Sequence, residues 1–218
     1  YDTFDKQDFV ATLNNPYCDG APRCDFTDFI NKLPKVPRTL DLGGGMGNFS
    51  KFLKITYAHW DITHSDFEIK RNTELETLGI TTKALNFIEQ AIGENCYDLI
   101  TAWEVIEHIP YEKLEFTLNN IYDALPKGGI FMFSTPDFDS PLCKANDFFA
   151  ICPPFHYLVF GSQWLKDYFE ESDWKVHSIR YCSDFLDDSN MWFDYANKTA
   201  PSFQLRATAE VLKELLSK

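Results

Sequence analysis

Two stretches of the chain carry residue types that chemistry requires. The first is Asp41-Leu42-Gly43-Gly44-Gly45-Met46-Gly47. Glycines between a strand and a helix let the backbone approach a ligand closely, and the helix N-terminus then presents free N–H groups. The second is Glu104-Val105-Ile106-Glu107-His108. Glu104, Glu107 and His108 stand at i, i+3 and i+4, so a helical turn there puts all three on one face. Two carboxylates and an imidazole suit Mg²⁺, Mn²⁺ or a similar divalent ion. A simpler chemistry is also on offer: His108, or His156 in Pro153-Pro154-Phe155-His156-Tyr157, as a general base near neutral pH. On the residues alone both readings stay open. His59, His64 and His177 fall on strand-like segments, where a hydrogen-bonded structural role is the default.

These residues need elements to position them. Short apolar runs alternate with amphipathic stretches, which predicts an α/β layer fold. Residues 1–37 place Phe26, Phe29, Ile30 and Leu33 at helical spacing before Pro34 and Pro37, and are expected to form an N-terminal helical cap. Strands are expected at about 38–43, 59–65, 80–86, 97–103 and 130–135. Between them lie a helix carrying Phe49, Phe52 and Leu53, one through Leu75 and Leu78 stopped by Gly79, and one over about 111–125. Strands alternating with helices in this way form a parallel sheet through right-handed crossovers. The rhythm breaks at Pro136. Residues 136–161 carry four prolines and many aromatics and read as a lid-like insertion. A helix near 162–172, a strand over 174–181, an acidic irregular stretch at 184–202, a strand near Phe203 and a terminal helix complete the expectation. The 218 residues predict a single domain, with 38–135 as its ligand-binding core and 162–218 as the C-terminal part of the sheet and its helix.

Composition narrows the partners. Twenty Lys and Arg against 33 Asp and Glu give a formal charge of −13, which disfavours a phosphate backbone and so a nucleic-acid partner. A hydrophobic share of 44% suits a globular core, and no apolar run approaches the ~20 residues that span a bilayer. Six cysteines without a C-x-x-C pair fit thiols in a reducing cytosol, although Cys143 and Cys152, inside the insertion, flank a segment expected to cover a site and could bridge or bind metal there. The chain opens at Tyr1 without a charged-then-apolar leader, so a cytoplasmic protein is expected; the missing initiator Met leaves room for a removed upstream piece. Aromatics reach 16%, and Phe148, Phe149, Phe155, Tyr157 and Phe160 gather in the insertion. They suit either the walls of an apolar acceptor site or a cover for the sheet edge.

A dinucleotide fingerprint needs glycine at its first, third and sixth positions, and counting from Gly43 the sixth is Asn48. The spacing Asp-x-Gly-x-Gly-x-Gly, with Asp41, Gly43, Gly45 and Gly47, instead resembles motif I of the class I S-adenosylmethionine (SAM) methyltransferases. Further landmarks follow in that family's order: Asp66 ending the second strand, Leu85-Asn86-Phe87 ending the third, Tyr97 to His108 for the fourth-strand segment, and Leu125-Pro126-Lys127-Gly128-Gly129 turning into the fifth. The resemblance covers about residues 23–181. It implies a Rossmann-like α/β fold: a seven-stranded, mostly parallel sheet with helices on both faces and an antiparallel last strand. It also makes residues 38–135 the SAM-binding core. Asp66 would accept both ribose hydroxyls, with Asp61 a rival placed too early on the strand. Asn86 stands where the family usually has Asp and would meet the adenine amino group, with Phe87 on the ring. Phe67 and Trp103 complete the implied cofactor set, and Arg23 stands near the arginine that pairs with the SAM carboxylate in quinone-type O-methyltransferases.

Glu104, Glu107 and His108 also resemble the metal site of the small-RNA 3′-terminal 2′-O-methyltransferases, where a downstream histidine joins, here His156. Three functions follow. The first is SAM-dependent methyl transfer to an oxygen or nitrogen of a small-molecule acceptor. The second is metal-dependent 2′-O-methylation of RNA 3′ ends, which the acid excess opposes. The third is a non-catalytic SAM-binding scaffold subunit. Oligomeric state has no signature in the sequence.

Overall fold

A computed structural model describes residues 31–68, 73–139 and 156–177. The chain forms two compact units, residues 1–135 and 136–218. The division falls where the strand–helix rhythm breaks.

In the first unit, β1 (Arg38–Leu42) is followed by α1 (Asn48–Thr56), β2 (Asp61–Asp66), α2 (Thr73–Thr77), β3 (Thr81–Ala84) and β4 (Leu99–Trp103). A single 3-10 turn (Ile106–His108), α3 (Tyr111–Ala124) and β5 (Ile130–Ser134) complete it. The five strands are all parallel, in the order β3-β2-β1-β4-β5. The chain winds outward from β1 to β3 and then returns to lay β4 against the other side of β1. That reversal makes β1 and β4 the switch point, where ligands of open α/β sheets bind beyond the C-terminal strand ends. The glycine turn leaves β1 there and Glu104 leaves β4 there.

Both faces of this sheet are covered, as a parallel sheet requires. On one face Phe49 and Leu53 of α1 pack with Ile62, Leu99, Trp103, Trp60, Leu75 and Ile80 in a buried cluster. On the other, Leu40, Leu42 and Ile100 have no exposed surface. The helix expected over about 111–125 is present as α3, with Leu114, Leu118, Ile121 and Ala124 buried. Asn120 on that helix is fully employed. Its amide donates to Phe87 O at 2.9 Å and Gln90 O at 2.7 Å, and its oxygen accepts from Ile92 N–H at 2.8 Å. Those bonds tie the loop after β3 to α3.

The five expected strands are present in order, with shifted ends. β2 starts at Asp61, because Trp60 stacks on Tyr57 (ring centroids 4.4 Å apart) in the turn that also holds His59. That removes His59 from a strand. β3 stops at Ala84, so Asn86 and Phe87 lie in the loop beyond it.

In the second unit, Asp137 and Phe160 form an isolated parallel bridge and Phe138 N–H donates to Phe160 O at 2.8 Å, which brings the two ends of the intervening segment together. Asp137 Oδ1 accepts from Ser162 N–H at 2.9 Å at the start of α4 (Ser162–Glu170). Phe160 and Phe169 are buried, linked to Trp164, Tyr168 and Trp174 by ring contacts. The expected strand over 174–181 is not formed in its described part, 174–177, so His177 also lies outside a strand. Residues 1–30 of the expected helical cap, the bulk of the insertion, residues 178–181 of the expected sixth strand, the expected strand near Phe203 and the terminal helix fall outside the described residues.

Candidate active site

Gly43, Gly45 and Gly47 adopt φ of +62°, +54° and +77°, a left-handed region costly for any residue with a Cβ. The turn is tied internally by Gly47 N–H to Gly44 O at 2.8 Å and to β2 by Gly44 N–H to Ser65 O at 3.0 Å. Gly47 caps α1 without a side-chain partner. Gly44 is glycine for a different reason: a Cβ there would strike the His64 imidazole and stand 2.8 Å from Asp41 Oδ2. The backbone rests directly on those two side chains.

Asp66 ends β2 beside this turn. Its Oδ2 accepts from Gly45 N–H at 3.0 Å and its Oδ1 from Phe67 N–H at 2.7 Å. Asp61, the rival acid, begins the same strand opposite Arg38, at the other end of the sheet. Phe67 is half exposed and stacks on buried Phe87, with centroids 5.5 Å apart and planes 14° from parallel. Asn86 donates to Glu89 Oε2 at 3.0 Å, and its own Oδ1 has no hydrogen-bond partner. Trp103, counted among the implied cofactor residues, packs edge-on against Phe49 in the core, centroids 5.2 Å apart. Arg23 lies outside the described residues.

Beyond β4 the chain turns sharply. Glu104 takes φ +53°, one of two non-glycine residues with positive φ among those described, and its N–H donates to Ser134 O at 3.1 Å. A non-glycine residue held in that region stores strain, commonly at functional positions. The expected helical face does not form, because only the three-residue 3-10 turn follows. Glu104 and His108 are exposed while Glu107 is 1% exposed. Neither Glu107 oxygen meets a partner in hydrogen-bond geometry, although Glu104 and Thr135 stand close. Burial, then the Glu104 carboxylate, pushes the Glu107 acid up to about 8. Glu107 and His108 each offer a ligand atom within 4.8 Å of the other. His156, half-buried, belongs to the second unit.

A family model described as a methyltransferase domain matches residues 18–179. The chain belongs to that family. Solved structures agree on the fold. A provisionally named sarcosine dimethylglycine methyltransferase from Galdieria sulphuraria superposes with a TM-score of 0.57 at 16% identity, over 88% of this chain and 77% of that one. An O-methyltransferase family protein from Burkholderia thailandensis gives 0.55 at 12% identity, over 66% and 48%. The PH0226 protein from Pyrococcus horikoshii OT3 gives 0.44 at 16% identity, over 61% and 60%. The chain thus spans less than two thirds of the last two. No curated protein sequence matches it. The chain has the α/β fold of the class I methyltransferases, with five parallel strands described.

One group of residues beneath the glycine turn has no linear signature. Asp41 is buried, with Oδ2 accepting from Ser50 Oγ at 2.7 Å and Oδ1 from Thr101 Oγ1 at 2.9 Å. Strand register sets His64 beside Asp41 on one flank and Thr101 on the other. Only the same-face alternation on three neighbouring strands could have pointed to it.

Proposed function

We propose that this methyltransferase holds SAM on the glycine turn and Asp66 and transfers its methyl group to an oxygen or nitrogen of a small-molecule acceptor. The observation that carries the reading is the Asp66 carboxylate at the end of β2, fixed by the N–H groups of Gly45 and Phe67 beside the glycine turn. An ionised carboxylate has about four lone-pair sites, so two remain for a pair of ribose hydroxyls. Glycine is needed to hold the turn in this shape, since a Cβ on Gly43 would lie 2.8 Å from Val105 and one on Gly47 2.8 Å from Leu75. Phe67 and Phe87 offer an aromatic wall for the adenine ring and Asn86 an unspent oxygen for its amino group, while Arg23 is assigned to the cofactor carboxylate. SAM supplies a methyl group on a sulfonium, a strong electrophile, which leaves the protein to bind, orient and take up the acceptor proton. His108 or His156 is the base for that proton.

The test is mass spectrometry of hydroxyl and amine acceptors incubated with SAM, looking for a gain of one methyl. Replacing the base, as H108A or H156A, should lower kcat about 100-fold or more while leaving affinity for S-adenosylhomocysteine (SAH) intact. Methylation by both single variants at the wild-type rate would remove the histidines from the chemistry.

A second reading adds a divalent cation, Mg²⁺ or Mn²⁺, held by Glu104, Glu107 and His108. The orphaned carboxyl of Glu107 favours it, because a buried acid without a hydrogen-bond partner suits a metal as well as a proton. The cation would lower the pKa of an acceptor hydroxyl. Mn²⁺ should then raise the melting temperature of wild type but not of Glu107→Gln, with EDTA reversing the gain. Equal shifts in both proteins would end this reading.

A further inference from the structure

Under the glycine turn lies a chain of buried polar groups from three strands and a helix. Ser50 Oγ stands 2.7 Å from Asp41 Oδ2 and 3.3 Å from His64 Nδ1, and Asp41 Oδ2 is 3.9 Å from that nitrogen. A serine has one hydroxyl hydrogen. With that hydrogen on the Asp41 carboxyl, the contact from His64 is made by an N–H on Nδ1 donating to Ser50 Oγ. The order is therefore His64 to Ser50 to Asp41, with Thr101 donating to the far oxygen of Asp41 at 2.9 Å. All four residues are at most 3% exposed. The backbone of Gly44 sits on the His64 and Asp41 end, as the space for a Cβ there is filled by both side chains. The next residue, Gly45, aims its N–H at Asp66.

We infer that His64 is a positioning residue for the cofactor: through Ser50 it fixes the Asp41 carboxyl, and the two rings of contact set the height of Gly44 and the aim of the Gly45 N–H. This rests on the reading that SAM lies on the glycine turn and Asp66. A histidine on a buried strand otherwise needs only to fill volume and satisfy its nitrogens. The positioning role asks more of it, namely a donor at the Nδ1 place.

The experiment measures SAH affinity by calorimetry, well below each protein's melting temperature, for wild type, His64→Leu, His64→Asn, Ser50→Ala and Asp66→Ala. Asparagine keeps an N–H donor where Nδ1 stands; leucine does not. His64→Leu is expected to weaken SAH binding about 10-fold and His64→Asn to stay within about 3-fold of wild type, the span of one buried hydrogen bond. A purely structural histidine would instead lower the melting temperature in both variants and leave both affinities alike. Equal SAH affinity in His64→Leu and His64→Asn overturns the inference. Should His64→Leu fail to fold, Ser50→Ala decides: weakened binding upholds the relay and wild-type binding overturns it. Asp66→Ala separates the two claims. If it binds SAH as wild type does, the cofactor reading itself falls and the inference with it.

Discussion

Glycine at position 44 is required by its neighbours rather than by its own backbone, and that distinguishes it from Gly43, Gly45 and Gly47. Gly44→Ala forces a methyl group into the Asp41–His64 pair and should cost about 1–3 kcal/mol of stability, checked by denaturant unfolding. A cost near zero would mean that the turn can lift off the network. Glu107 gives a second residue-scale expectation. Its carboxyl ionises near 4.5 when unfolded and near 8 when folded, so over that interval the folded protein holds the extra proton. Stability contributed at low pH is therefore lost as pH rises towards 8, by at most about 1.4 kcal/mol per pH unit. In EDTA, wild type should lose melting temperature between pH 5 and 8 relative to Glu107→Gln; parallel curves would contradict the burial argument. At this scale the sequence was partly legible. The glycine spacing and Asp66 stand out in a linear reading because strand, turn and helix follow one another locally. Ser50, His64 and Thr101 did not, since their partner Asp41 lies 9, 23 and 60 residues away, and strand register for His64 and Thr101 and the packing of α1 for Ser50 unite them.

At the scale of elements, the strands were legible from apolar runs and their ends were not. Tyr97 and Asp98 read as strand because they continue the apolar run, yet their backbone N–H groups serve Ala124 and Arg38 ahead of β4. A helical turn after β4 would put Glu104, Glu107 and His108 on one face, but only a 3-10 turn follows and the positive φ of Glu104 breaks the continuity. The start of β1 is pinned to the approach of β4 by Asp98, which accepts from Arg38 N at 2.9 Å, Nε at 3.1 Å and Nη2 at 2.9 Å. The Arg38 guanidinium, chiefly through its hydrogen bonds, holds the Asp98 carboxyl below the usual carboxylate range. A lowered carboxyl contributes stability above its unfolded pKa and loses it as pH falls through the folded one. Asp98→Asn should therefore cost about 1 kcal/mol at neutral pH, discounted for the exposure of Arg38, and the gap to wild type should close in acid. Thermal unfolding between pH 2 and 7 measures it, and a gap that stays constant into acid would refute the pairing.

For the whole molecule, the acid excess is what ranks a small-molecule acceptor above an RNA end in the proposed reading. A net charge of −13 leaves little to gather phosphates, so an RNA with a free 2′-OH end should remain unmethylated under conditions that methylate small acceptors. Methylation of that RNA would reverse the ranking. None of the described helices is long and apolar enough to cross a membrane. The fold class was legible at this scale because alternating strands and helices admit few topologies, whereas the acceptor was not, because aromatic residues serve cores and ligand walls alike. The most direct measurement of the central claim is calorimetric titration of SAH into the wild-type protein and into Asp66→Ala. The account predicts saturable binding to wild type that weakens at least about 10-fold in the variant, the loss of charge-assisted hydrogen bonds to the ribose. No binding to wild type, or equal binding to both, would contradict it.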